Sequence, residues 1–317
     1  MFDIITIGSA TCDVFVDTKD RLFQGDKCVK VPFGSKILID QIHTDIGGGS
    51  VNTGIAFSRL GLKTAVLTKI GKDDFSRSII RGLKIENINT NLIIQDSRVK
   101  TDYSVILDTK GRDRTILVYK NASKKLSWGE INQQDIKTRW FYFGTMLGKS
   151  YETLLKIAEY AQKNKIKIAL NISQYLAKKR PLELIEKVDV LIVNKQEAEL
   201  LASSKLPINI KDLLMALHGI GSKIVVITDK DNDIKAYDGN KVYSVSPHKE
   251  IKVVERTGAG DAFASSFVSG IIKGKDIDFS LNMALINSES VITHYGARNK
   301  LLKWDELIIK IKNKKYE

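Results

Sequence analysis

The sequence predicts an α/β protein built on a mainly parallel sheet covered by helices, with a small second sheet standing apart. Three observations carry this. From about residue 139, short apolar runs alternate with helix-length stretches: 140–143 then 151–163, 166–170 then 175–187, and 188–193 then 197–202, the rhythm of parallel strands joined by crossover helices. The chain opens on Asp3-Ile-Ile-Thr-Ile-Gly8, a β-branched run halted by glycine, as a buried strand ends in a turn. Four segments, at about 12–18, 36–45, 101–108 and 114–120, switch between apolar and polar residues with period two, as half-exposed strands do. Between the last two, Thr109-Lys110-Gly111-Arg112 reads as a hairpin turn. A further strand at 223–228 leads into a polar hairpin over 229–243, and three helical segments close the chain.

Composition narrows the class. With 317 residues, 43% hydrophobic and 27% charged, the chain has material for one core near the practical limit of about 250–300 residues. It has only 4 prolines and no Ser/Gly/Pro-rich tract, so no linker divides it, and residues 1–317 are expected to form a single domain. Mean hydropathy is −0.13 and no run reaches about 18 uncharged apolar residues, which argues against a membrane protein. The N-terminus has neither a basic leader nor an apolar core, so no signal peptide is expected. Cys12 and Cys28 cannot build a disulfide framework, so a reducing compartment and a cytoplasmic location are expected. The net charge of +13 makes the surface field positive, which suits an acidic substrate or a nucleoside triphosphate. The lysines are dispersed rather than striped with aromatics, so no nucleic-acid partner is expected.

Three motifs carry chemistry. Gly47-Gly48-Gly49-Ser50-Val51-Asn52-Thr53-Gly54 precedes a helical segment ending at Leu60-Gly61; bare backbone there can approach a ligand and offer N–H groups to hydroxyls or an anion. Asn52 stands where a dinucleotide fingerprint needs its third glycine, which disfavours a nicotinamide oxidoreductase. Thr257-Gly258-Ala259-Gly260-Asp261 turns directly into a helix whose Phe263, Phe267 and Ile271 mark a buried stripe. Free N–H groups at its start would stabilise negative charge. Asp261 is either a helix cap or a proton acceptor beside that anion hole. Asn194-Lys-Gln-Glu197 ends a buried strand and enters a helix; the spacing describes a capping box, and in a phosphoryl-transfer site the pair could orient Mg²⁺ through water. Gly144 to Ser150 resembles a Walker A loop but has three intervening residues instead of four, so an ordinary strand-to-helix connection is expected.

Together these motifs, in this order, resemble the ribokinase-like (PfkB) carbohydrate kinase family along essentially the full chain. Weaker similarities are Gly8-Ser-Ala-Thr-Cys-Asp13, Ile70-Gly-Lys-Asp73-Asp74-Phe, Gly111-Arg-Asp-Arg114-Thr-Ile and Tyr295-Gly296-Ala297. The resemblance implies a doubly wound sheet with a β-lid, ATP and Mg²⁺ at the carboxyl ends of the strands, and transfer of the γ-phosphate to a primary hydroxyl. It implies that Asp13, Gly48, Gly49 and Asn52 bind the acceptor, that Asp261 is the general base, and that Gly258, Ala259 and Gly260 form the anion hole. Asn194 and Glu197 would manage Mg²⁺ and phosphate, and Thr228, Arg256, Thr257 and Asn287 would contact the nucleotide, with adenine near 228–243 and the helix of Asn287. Glu255-Arg256-Thr257 departs from the family's usual Asp-Thr-Thr. The aspartate helps hold a monovalent cation in many members, so such a cation is left open here, and Arg256 can lay its fork on a phosphate.

The acceptor is expected to be a small sugar or sugar derivative. A nucleoside of the adenosine, cytidine or guanosine type is the alternative, with Phe15, Phe23, Phe33 and Tyr103 near the lid as candidates for a base-binding slot. A non-catalytic sugar or nucleotide sensor is the alternative of another class. Lid strands of this family can pair between subunits, which makes a homodimer an expectation.

Overall fold

The computed structural model describes residues 1–17, 30–108, 115–203 and 209–313; Cys28, Phe23 and the 109–112 turn fall outside them. Strand β1 (Phe2–Ile7) leads into β2 (Thr11–Asp17), β3 (Gln41–Gly47) and helix α1 (Gly49–Arg59). There follow β4 (Thr64–Leu67), β5 (Lys69–Ile70), α2 (Asp74–Ile85), β6 (Ile94–Gln95), β7 (Asp102–Asp108) and β8 (Thr115–Tyr119). The second half runs β9 (Thr138–Phe143), α3 (Lys149–Lys163), β10 (Lys167–Asn171), α4 (Gln174–Ala177), α5 (Leu182–Ile185), β11 (Val190–Asn194), α6 (Lys195–Ala202) and α7 (Ile210–Ile220). It closes with β12 (Ile224–Thr228), β13 (Ile234–Tyr237), β14 (Val242–Val245), α8 (Ala259–Ile272), α9 (Ile277–Ile292) and α10 (Trp304–Asn313).

The main sheet has the order β14-β13-β12-β11-β10-β9-β1-β4. Every pair from β4 to β12 is parallel, and β13 and β14 are antiparallel. Because side chains alternate across a strand, each strand serves two cores. Ile4, Trp140, Tyr142, Ile192 and Val226 pack with Phe57 of α1, Phe263 and Phe267 of α8 and Leu281 of α9. Ile5, Phe141, Phe143, Leu191 and Val225 pack on the other side with Leu154 of α3, Ala198 of α6 and Leu213 of α7. The sheet is therefore doubly wound. The chain passes from β1 to β4 on one side and then to β9 on the other, so the winding reverses between β1 and β9; ligands of open α/β sheets bind at the carboxyl ends beside such a reversal.

The second sheet has the order β3-β2-β7-β8, with β2 and β7 parallel. Its second strand starts at Gln41 rather than near 36, because pairing with β2 runs only from Asp17↔Gln41 to Thr11↔Gly47. The helix expected over 175–187 is two short helices. Arg180 takes a left-handed φ of 49° before Pro181, whose ring disfavours helical geometry in the preceding residue.

Candidate active site

Strand ends and helix starts bring the motifs together. Gly258 caps α8 with φ 79°, and a methyl group there would strike the Ala297 carbonyl, so only glycine allows the approach. Gly260, by contrast, faces open space. Gly47 lacks a side chain where Asp13 places its carboxylate, and Gly48, with φ 91°, lies against the Ser9 carbonyl. These two turns set the starts of α8 and α1 side by side. There the Asn52 amide donates from Nδ2 to Asp261 Oδ2 over 2.9 Å.

Two cavities of about 610 Å³ each meet at this point. One is lined by Lys230, Asp231, Arg256, Ala259 and Phe263, with Glu289 on α9. The other is lined by Gly49, Lys120, Lys124, Tyr142, Glu197 and Asp261. Asn194, Thr228 and Gly260 border both. The N-terminus of the 14-residue helix α8 thus stands at the junction, where its dipole favours negative charge.

Burial pushes the Asp261 carboxyl up to about 6; the Asn52 hydrogen bond opposes this and the charge of Asp13 adds to it. Such a group is ionised near neutrality yet basic enough to accept a proton. Glu197 is raised to about 7, again by burial, against hydrogen bonding from Asn194, whose backbone N–H donates to Glu197 Oε2 at 2.8 Å. Asp13 accepts from Thr11 Oγ1 at 3.1 Å and from the Ser104 hydroxyl. Its carboxyl is also raised by burial, with the like charge of Asp45 adding and Arg298 opposing.

The structure separates the expected residues. Gly49, Gly260, Asp261, Asn194, Glu197, Thr228, Ala259 and Arg256 line the cavities, and Asn52 reaches them through Asp261. Gly48 and Gly258 shape the turns from behind. Thr257 donates to Glu255, whose other oxygen accepts the Gly296 N–H at 2.7 Å. Asn287 is displaced from its expected role. It is fully buried, donating to Ser266 at 2.8 Å and accepting the Leu302 N–H at 2.9 Å. The face of α9 that lines the cavity is Leu285, Ser288, Glu289 and Ile292, the i, i+3, i+4, i+7 stripe that excludes position 287.

Sequence reasoning missed Lys120, Lys124 and Tyr142, and on the other side the loop carrying Pro247 to Val253. Only Lys120 carried a legible signal, as a basic residue at the end of an expected lid strand. Arg298, which pairs with Asp45 of β3, had none.

The family model described as "pfkB family carbohydrate kinase" matches residues 1–304. A ribokinase of Staphylococcus aureus is 27% identical over 86% of this chain and 87% of its own length. A 5-dehydro-2-deoxygluconokinase of Clostridium botulinum is 27% identical over 94% of this chain and 95% of its own. Among solved structures, a nucleoside kinase of Methanocaldococcus jannaschii superposes with a TM-score of 0.81 at 24% identity, covering 98% of each chain.

Proposed function

Since this chain belongs to the pfkB family of carbohydrate kinases, we propose that it moves the γ-phosphate of ATP to a primary hydroxyl of a small sugar or sugar derivative. The observation that carries this reading is the place of Asp261, on the first turn of α8 where the two cavities meet. ATP occupies the cavity lined by Arg256, Lys230 and Phe263, with its phosphates toward Gly260. The acceptor occupies the cavity beneath the lid. Its hydroxyls meet Gly49, which lines that cavity, while Asn52 and Asp13 stand outside the lining; its reacting hydroxyl gives its proton to Asp261 as the new O–P bond forms and the bond from the γ-phosphorus to the ADP oxygen breaks. Charge on the transferred group meets the N–H groups at the start of α8, and the lid sheet excludes water that would otherwise hydrolyse ATP.

Asn194 and Glu197 fit a magnesium ion. Among the described residues no cluster of three or more His, Cys, Asp or Glu is available to cage a metal, and magnesium characteristically keeps waters and phosphate oxygens around one or two protein ligands. Magnesium would neutralise charge on the phosphates, and Glu197 and Asn194 would be the residues that hold it. Both oxygens of Glu255 accept hydrogen bonds within the protein.

A second acceptor class rests on the lid. Phe15 and His43 lie opposite one another, with ring centroids 6.1 Å apart, on the pleat face two positions beyond Asp13 and Asp45. A nucleoside would set its base there. Acceptor-dependent ADP release with ribose, fructose, 2-keto-3-deoxygluconate, adenosine, cytidine and guanosine tests both classes. ADP release from none of them, with nucleotide still bound, would instead favour a sensor.

A further inference from the structure

Lys120 follows β8 directly and lines the acceptor cavity together with Gly49, Glu197 and Asp261. It is half-buried, and burial pushes its ammonium pKa down. Among the described residues it forms no ion pair. The acids nearest in charge are committed elsewhere. Asp102 accepts the backbone N–H groups of Asn121 at 2.8 Å and Ser123 at 3.2 Å and the Ser123 hydroxyl, and Asp13 accepts from Thr11 and Ser104. Lys124 lines the same cavity and adds a like charge.

Asp102 and Asp13 attract this ammonium through space without pairing with it, so its burial is only partly compensated, and an anion entering the same space offsets the remaining cost. The donor's phosphates have their own cations, since Lys230, Lys249 and Arg256 line the other cavity and Lys120 does not. We propose that Lys120 selects an acceptor that carries an anionic group, a carboxylate or a phosphate distant from the reacting hydroxyl, over a neutral one. Lys120 is here a specificity residue of the acceptor side, and the inference rests on the kinase reading above for the identity of that cavity.

Calorimetric titration with two matched pairs tests it: D-gluconate against D-glucitol, and fructose 1-phosphate against fructose. The first pair isolates a carboxylate and the second a phosphate. The anionic member of at least one pair should bind about tenfold tighter or better than its neutral partner. Lys120→Met should abolish that preference while leaving the neutral partner's affinity within about twofold, and Lys120→Arg should retain most of it. Equal binding within both pairs, or a preference that survives Lys120→Met, overturns the proposal. So does a Lys120→Met variant whose only change is a raised KM for ATP, since the lysine would then serve the donor. These titrations need no turnover. ADP release confined to neutral acceptors would leave the kinase reading standing and remove this one; tight anion binding without ADP release from any acceptor would do the reverse.

Discussion

Asn52 and Asp261 lie 209 positions apart in the chain, and their side chains meet in a 2.9 Å hydrogen bond that locks the start of α1 to the start of α8. The bond fixes which way the Asp261 carboxyl points and favours its ionised form, against burial and the charge of Asp13.

Asp261→Asn should lower kcat by on the order of 10²–10⁴ with ATP affinity nearly unchanged, because only the proton acceptor is lost. In the wild type, kcat/KM should rise with pH through about 6 as Asp261 ionises. Asn52→Ala should move that limb upward by removing a donor to the charged form. Steady-state kinetics across pH reads both, and an unmoved limb would detach Asn52 from the base.

Stability should carry the opposite pH trend. Asp261 and Glu197 are held at about 6 and about 7, above their ordinary values of 3.8 and 4.5. The native state therefore keeps protons that the unfolded state has released, and the contribution of these groups falls as pH rises from about 4 to 7. Asp261→Asn should melt above the wild type at pH 8 and level with it at pH 4. Thermal melts at the two pH values check the sign.

Tyr142 offers a separate measurement. Its hydroxyl is buried without a hydrogen-bond partner among the described residues, beside the T-shaped contact of its ring with Phe57. Tyr142→Phe should leave stability unchanged or raise it, since a buried unpaired polar group costs about 1–3 kcal/mol. A clear loss in denaturant unfolding would show that the hydroxyl has a structural partner.

Gly258→Ala should destabilise by about 1–3 kcal/mol, combining strain at a left-handed φ with a collision against Ala297. The same change should lower kcat by displacing the anion hole. Arg256→Ala should raise KM for ATP severalfold, its guanidinium being paired with Asp231 at 3.0 Å on an exposed edge; an unchanged KM removes Arg256 from the site.

The lid leaves Ile116, Leu117, Val118 and Tyr119 of β8 exposed, an open apolar edge of the kind that pairs with another strand. A homodimer through the lid is the proposed outcome. Sedimentation should show a dimer that Leu117→Lys converts to monomer; a monomeric wild type at micromolar concentration would end that proposal.

Local chemistry made much of this legible. The alternation of strands and helices after residue 139, the four period-two segments and the capping box of Asn194 are consequences of side-chain periodicity and backbone freedom within a few residues; they stand near where expected, apart from the later start of β3 and the break at Arg180-Pro181. Elements whose signal is diluted were missed: β4 is four residues long and α2 falls in a polar stretch, while α7 was missed although Asn209 caps its start. Asn287 shows the limit of motif reasoning, because one position around a helix, about 100°, separates a cavity-lining residue from one buried among neighbours. The sequence by itself determined the fold class, the family resemblance and the residue types that do chemistry. Only the tertiary structure decided that Asp261 answers to Asn52, that Lys120 lines a cavity with Asp261 and forms no ion pair among the described residues, and that two cavities meet at Gly260. Those relations depend on crossover connections and helix packing between segments hundreds of residues apart, where no local pattern records the distance.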